Sequence, residues 1–186
     1  MGARKSIMLI ITYSCNLNCI YCYEPKKVKH RMTLETAKDV ILSQFSLLND
    51  ECDTVEIHFM GGEPLMEFAL IKEISEWLWS TNTKYNLMLF ASTNGTLLNE
   101  EMRAWFHSNR HRITLGLSFD GNNVMQNINR SKSSSSVDIE FFAKTWPGQN
   151  IKMTISPQTL PSLSEGIIYL HNAGFDYISV DLAMGD

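Results

Sequence analysis

Three of the chain's four cysteines, Cys15, Cys19 and Cys22, fall within one short stretch, Thr-Tyr-Ser-Cys-Asn-Leu-Asn-Cys-Ile-Tyr-Cys-Tyr. It directly follows an apolar run at residues 7–12 that reads as a β-strand. Three thiolates this close can hold three irons of a [4Fe-4S] cube, whereas a simple electron carrier uses four protein ligands. The fourth iron then keeps an open position, and an open position on a metal centre marks reactivity, as it does for zinc. A zinc site completed by His30 or Cys52 is the other use of the same thiols, although zinc modules usually carry two closely spaced ligand pairs. Disulfides do not fit a chain with no signal peptide, whose thiols are expected to stay reduced in a cytoplasmic setting.

A second chemical element follows the next strand-like run, in Gly61-Gly62-Glu63-Pro64. Paired glycines let another group approach the backbone closely, and Glu63 adds an acceptor. After the third run comes Ser92-Thr93-Asn94-Gly95-Thr96, which reads either as a turn, because Asn-Gly favours positive φ, or as a contact made by Thr93 and Asn94 to a bound group. The fourth run ends in Leu117-Ser118-Phe119-Asp120-Gly121, and the fifth continues into Met153-Thr154-Ile155-Ser156-Pro157. Parallel α/β folds bind ligands at the carboxyl ends of their strands, where all of these segments fall.

The C-x3-C-x2-C spacing, with Tyr21 as the aromatic before the last cysteine, resembles the radical S-adenosylmethionine (radical SAM) superfamily, and Gly61-Gly62-Glu63 resembles its GGE element. The resemblance extends over nearly all of the chain. It implies a [4Fe-4S] cluster on Cys15, Cys19 and Cys22, and S-adenosylmethionine (AdoMet) cleaved to a 5′-deoxyadenosyl radical that abstracts a substrate hydrogen. It also implies that Gly61, Gly62 and Glu63 meet the methionine amino group, that Ser118 touches the cofactor, and that Leu182 contacts adenine through its backbone. Arg130 matches an arginine that approaches the methionine carboxylate, for which a planar fork is suited. A solvated loop arginine is the other reading. The segment around Pro157 is similar to peptide-modifying and sulfatase-maturing members, so a peptide or protein substrate is implied. Their C-terminal extension, which carries auxiliary clusters and commonly the acid or base, is not matched, so no catalytic acid or base is assigned.

The elements that position these residues follow from apolar patterning. Strand-like runs begin near Ile7, Val55, Leu87, Ile113, Ile151 and Tyr177, with helical patterns between them, which predicts a parallel sheet. The first helix is capped by Thr33 and carries Leu34, Ala37, Ile41, Phe45 and Leu48 on one face. A second starts after Pro64 and buries Leu70, Ile71, Ile74 and Leu78; a third, capped by Asn99, contains Met102, Trp105 and Phe106. A fourth covers residues 137–144. A fifth starts near Ser162, buries Leu163, Ile167 and Leu170, and ends at Gly174. Six strands and five helices define an α/β fold, a partial (β/α)6 barrel of parallel strands with the last helix missing, in one domain spanning residues 1–186.

At 44% apolar and 19% charged residues with a net charge of −4, the chain reads as a soluble globular enzyme without bulk charge for nucleic acid. No apolar run reaches membrane-spanning length. The basic run Lys26, Lys27, Lys29, His30 and Arg31 follows the cysteines and reads either as a solvated loop or as a docking rim for an acidic substrate or an electron donor such as flavodoxin or ferredoxin. Cys52 reads as an inert thiol and the serine run at 133–136 as a mobile loop. His58, alternating with Glu56 and Met60, reads as a hydrogen-bonded packing residue or as a substrate contact in the barrel interior. Two alternatives to the maturase reading are a short glycyl-radical-activating type of enzyme and a truncated, non-catalytic module that holds a cluster or zinc.

Overall fold

The structure is a computed structural model that describes residues 3–24, 27–49, 52–81 and 84–183. Lys26 of the basic run and the terminal stretch ending at Asp186 lie outside the described residues. Six parallel strands occupy the predicted positions: β1 (Ala3–Thr12), β2 (Cys52–Gly61), β3 (Asn86–Thr93), β4 (Ile113–Leu117), β5 (Asn150–Ile155) and β6 (Tyr177–Leu182). Strands β1 to β4 form one sheet in chain order and β5 and β6 form a second. A backbone bridge between Ser118 and Lys152 joins the two. The result is the partial (β/α) barrel that the alternation predicts.

Period-two patterning sorts the strand side chains. Ile7, Leu9 and Ile11 of β1 and Val55, Ile57 and Phe59 of β2 are buried under the helices, while Met8, Ile10, Glu56, His58 and Met60 alternate onto the concave face. That face is open rather than packed: Met8 is 62% and Met88 45% exposed.

Helices α1 (Leu34–Ser46), α2 (Phe68–Ser80) and α3 (Glu100–Ser108) follow the first three strands. The Thr33 hydroxyl accepts the Thr36 N–H, and Asn99 Oδ1 accepts the Met102 N–H, so both predicted caps form. Pro64 opens a 3-10 turn, Pro64–Glu67, that leads into α2.

The predicted set of five helices is corrected to six among the described residues, because α4 (Asn123–Asn129) lies between β4 and α5 (Ile139–Thr145). Its sequence, Asn-Val-Met-Gln-Asn-Ile-Asn, is too short and too polar for an apolar stripe to reveal it. Asn122 caps it by accepting from the Val124 and Met125 N–H groups. The serine run is also corrected: Ser134–Ser136 is a 3-10 turn, and Ser133 is buried with its hydroxyl accepting from Gln126 Nε2 at 2.8 Å. In α6 (Leu163–Asn172), Leu170 is buried, but Ile167 is 37% exposed and Gly166 takes its place against the core. The described residues end just after β6 and include no helix beyond it.

Candidate active site at the carboxyl ends of the strands

All twelve residues nominated from the sequence line one cavity of about 740 Å3 at the carboxyl ends of the strands: Cys15, Cys19, Cys22, Tyr21, Gly61, Gly62, Glu63, Thr93, Asn94, Ser118, Arg130 and Leu182. Its volume is that of an ordinary small-molecule site.

The cysteine-bearing loop is pinned from two sides. On one side Asn16 Nδ2 donates to Thr96 Oγ1 at 2.7 Å, and Asn94 Nδ2 donates to Asn16 Oδ1 at 3.0 Å. On the other, the Asn18 N–H donates to Ser131 Oγ at 2.8 Å and the Ile20 N–H to the Asn129 carbonyl at 3.0 Å. Lys27 Nζ folds back onto the Leu17 carbonyl, so this member of the basic run belongs to the loop. The Cys22 N–H closes a turn onto the Cys19 carbonyl. All three cysteines are free and partly exposed. Burial raises the Cys19 pKa above its ordinary value, against the pull of the Arg130 charge.

Gly61 and Gly62 join this loop to β2. The Gly62 N–H donates to the Thr12 carbonyl at 2.9 Å and the Glu63 N–H to the Ser14 carbonyl at 2.8 Å. A β-carbon on Gly61 would stand 2.3 Å from the Thr12 carbonyl oxygen. What the glycines admit here is therefore the backbone of the cysteine loop.

The Glu63 carboxylate, 1% exposed, accepts from three protein donors: Thr93 Oγ1 at 2.7 Å, the Asn94 N–H at 2.8 Å and the Leu65 N–H at 3.0 Å. Burial holds its pKa above the usual carboxylate range despite those donors. Thr93 also accepts the Gly95 N–H, and Gly95 has φ +78°, so the segment after β3 is a turn whose polar side chains brace Glu63 and Asn16. By contrast, the Ser118 hydroxyl has no hydrogen-bond partner among the described residues, and Leu182 is 68% exposed at the end of β6.

Arg130, at the C-terminal cap of α4, has a side chain 9% exposed. Its Nε lies 2.9 Å from Asp120 Oδ2, an ion-pair contact too bent to count as a hydrogen bond. The guanidinium lies 5.5 Å from the Tyr21 ring centroid. Burial opposes its charge, but Asp120 outweighs that and raises its pKa further. Among the described residues no acceptor bonds its Nη atoms, which leaves a buried cation facing the cavity.

Sequence reasoning did not nominate Asp120. Completely buried, it accepts from Tyr21 Oη at 2.5 Å and Asn129 Nδ2 at 3.2 Å on Oδ2, and from the Thr154 N–H at 2.9 Å on Oδ1. Gln126 Oε1 accepts the Asp120 N–H at 2.8 Å. The available signal was an aspartate three residues past the end of β4 with Asn122 two residues on, a pattern that also describes an ordinary turn before a helix.

A second cavity of about 1120 Å3 runs along the concave face below the first and shares Met60, Ser92, Lys152 and Asp181 with it. His58 lies in its wall, 3.4 Å from Glu56 Oε2 and packed against Phe90 with ring centroids 5.5 Å apart. Lys152 and Asp181 form an ion pair at 2.9 Å where the two cavities meet. Cys52 is level with Ala3 at the start of β2, roughly 30 Å along the strand from Gly61, and cannot join the three loop cysteines. Among the described residues no three His, Cys, Asp or Glu side chains converge on a single-ion site.

A parallel half-barrel with a thiol-lined cavity at its carboxyl face defines an α/β enzyme architecture. A sequence profile of the radical SAM superfamily matches residues 9–138, and the chain belongs to that superfamily of enzymes, which use a [4Fe-4S] cluster and AdoMet. It is 32% identical to a Methanocaldococcus jannaschii protein of uncharacterised function, over 98% of this chain and 64% of that protein. It is 29% identical to the cysteine-type anaerobic sulfatase-maturating enzyme of Clostridium novyi, over 63% of this chain and 33% of the enzyme. The solved structure of native anSMEcpe with bound AdoMet and Kp18Cys peptide shares the fold, with a TM-score of 0.82 at 22% identity over 98% of this chain and 52% of that one. The chain thus spans between about a quarter and two thirds of the relatives it matches.

The residues present fit the superfamily's cofactors: three free thiols and a buried, unsatisfied guanidinium face the same cavity.

Proposed function

We propose that the chain is a radical SAM enzyme that binds a [4Fe-4S] cluster through Cys15, Cys19 and Cys22 and modifies a peptide or protein side chain. The observation that carries this reading is the convergence of the three thiols and the Arg130 guanidinium on one cavity. When bound, the cluster and AdoMet supply a 5′-deoxyadenosyl radical for hydrogen abstraction. The protein's part is to position and to exclude water. With AdoMet bound, the Arg130 Nη atoms would offer a fork to its carboxylate, the Ser118 hydroxyl and Leu182 would contact the cofactor, and the main chain of Gly61 and Gly62 would meet its amino group. Glu63, Thr93 and Asn94 hold that wall in place.

The peptide class is supported by relatives that include sulfatase-maturating enzymes and the PqqA peptide cyclase of Gluconobacter oxydans. The concave cavity below Met60 is the space open to the residue being modified. Lys29, His30 and Arg31 lie exposed beside the cysteine loop and suit an acidic electron donor such as flavodoxin or ferredoxin in the cytoplasm. No helix among the described residues is long and apolar enough to cross a membrane.

Anaerobic reconstitution with iron and sulfide, followed by AdoMet and dithionite, tests the proposal. Formation of 5′-deoxyadenosine that is lost in Cys19→Ala supports it. A cluster-loaded chain that binds AdoMet and yields no deoxyadenosine overturns the catalytic reading, and a full [4Fe-4S] spectrum in Cys19→Ala overturns the ligand assignment.

A further inference from the structure

We infer that Asp120 is a positioning residue that holds the cysteine loop and the Arg130 guanidinium in one fixed relation across the cofactor cavity. The inference rests on the proposed AdoMet site. One oxygen of a completely buried carboxylate takes both the Tyr21 hydroxyl, from between Cys19 and Cys22, and the Arg130 Nε contact. Its other oxygen is fixed by the Thr154 N–H of β5, and Asn129 Nδ2 steadies the shared oxygen from α4. Buried aspartates are rare unless paired, and this one is fully buried behind the residues that line the cavity. Its negative charge and its geometry therefore act through residues that do line the cavity, Tyr21 and Arg130 on one oxygen and Thr154 on the other.

The arrangement also explains why Arg130 can be charged, nine-tenths buried and still unsatisfied at its Nη atoms. Asp120 holds the guanidinium by its Nε end alone, which aims the fork at the cavity. The guanidinium also lies 5.5 Å from the Tyr21 ring centroid, and Tyr21 is in turn held by the same carboxylate. The separation between the cysteine loop and the Arg130 fork is therefore set by Asp120.

The test is AdoMet affinity of the reconstituted full chain, measured by anaerobic calorimetry, with iron and sulfide content as the control. Asp120→Asn keeps the acceptor for the Thr154 N–H but places an amide N–H against Tyr21 Oη and Arg130 Nε. It should retain cluster content and weaken AdoMet binding by about tenfold, the scale of one lost charge-assisted contact. In an Arg130→Met background the same change should weaken binding only about threefold or less, because one of its two routes is gone. A full tenfold loss in both backgrounds would assign Asp120 a purely structural role and overturn the inference. Should Asp120→Asn fail to fold, Tyr21→Phe decides: it cuts one arm and should lower affinity about threefold at unchanged cluster content. Wild-type affinity in Tyr21→Phe overturns the inference. A wild-type chain that takes up its cluster and does not bind AdoMet overturns the proposed site itself, whereas wild-type binding with indifferent variants overturns only the role of Asp120.

Discussion

Gly62 lies so close to Ser14 that a β-carbon on it would stand 2.3 Å from the Ser14 carbonyl oxygen, 2.7 Å from the Ser14 carbonyl carbon and 2.8 Å from the Tyr13 carbonyl oxygen. All three neighbours are backbone, so no side-chain rotation relieves the clash. Gly62→Ala should cost about 1–3 kcal/mol, the range for overpacking, and displace the start of the cysteine loop. Thermal unfolding and iron uptake should fall together. Gly148→Ala is the control: its φ of +79° gives a left-handed penalty of about 1–2 kcal/mol, but nothing lies within 4 Å, so iron uptake should be unaffected.

Glu63→Gln tests whether that side chain is a brace. The amide keeps the size of the carboxylate but turns one acceptor into a donor, which leaves the Asn94 N–H or the Thr93 and Leu65 pair facing an N–H. An unsatisfied buried donor costs about 1–3 kcal/mol. Chemical denaturation should show a loss of that size in the metal-free protein, before any cofactor is added.

Asp138 gives the fold a pH dependence. It caps α5 by accepting the Phe141 N–H at 3.1 Å and pairs with Arg103 at 2.5 Å. Partial burial opposes its ionisation, but the Phe141 N–H and Arg103 outweigh that and hold its carboxyl below the usual range. A folded-state pKa below the unfolded one means the stabilisation is complete above the unfolded value, about 3.9, and is lost as pH falls through the folded value. Because the side chain is 44% exposed, water screens the ion pair and the cap carries most of the effect. Asp138→Ala should cost about 0.5–2 kcal/mol near pH 7, and urea denaturation should show the gap to wild type closing below about pH 4.

Ser131 and Lys132 both have positive φ, 52° and 58°. Lys132→Gly relieves a left-handed penalty of about 1–2 kcal/mol, partly offset by the entropy of glycine, and should leave stability equal or slightly raised. Ser131→Gly relieves the same strain but removes the acceptor for the Asn18 N–H. It should release iron faster on chelator challenge than Lys132→Gly does.

Strand positions and the three cysteines were legible because period-two burial and cysteine spacing are local signals, whereas Ser118, Arg130 and Leu182 were nominated only through the family resemblance. The Thr33 and Asn99 caps were legible for the same reason, since an Ncap side chain bonds an N–H three residues on. What escaped depended on contacts distant in sequence. Helix α4 is stabilised by the Asn122 cap and by Gln126 and Asn129 bonding into the buried network around Asp120, which no apolar pattern reports. Glu63 stood out as an acceptor, yet its three donors come from the turn after β2 and from the end of β3 and the residue after it, and only the fold brings them together. Lys27 reads in sequence as part of a solvated or docking run of charge, but its ammonium lies against the Leu17 carbonyl.

The backbone bridge between Ser118 and Lys152 fixes where the sheet can come apart. The main chains of the four-strand and two-strand units meet at this bridge, which includes the Phe119 N–H to Lys152 carbonyl bond at 2.9 Å. Units joined by so few main-chain bonds open at lower free energy than the continuous ladders on either side. Ser118 stands on one unit and Val180, Asp181 and Leu182 on the other, and all four line the same cavity. A molecule lodged there works as a clasp across that seam, and slowed deuterium uptake at the Phe119 amide would register its closing.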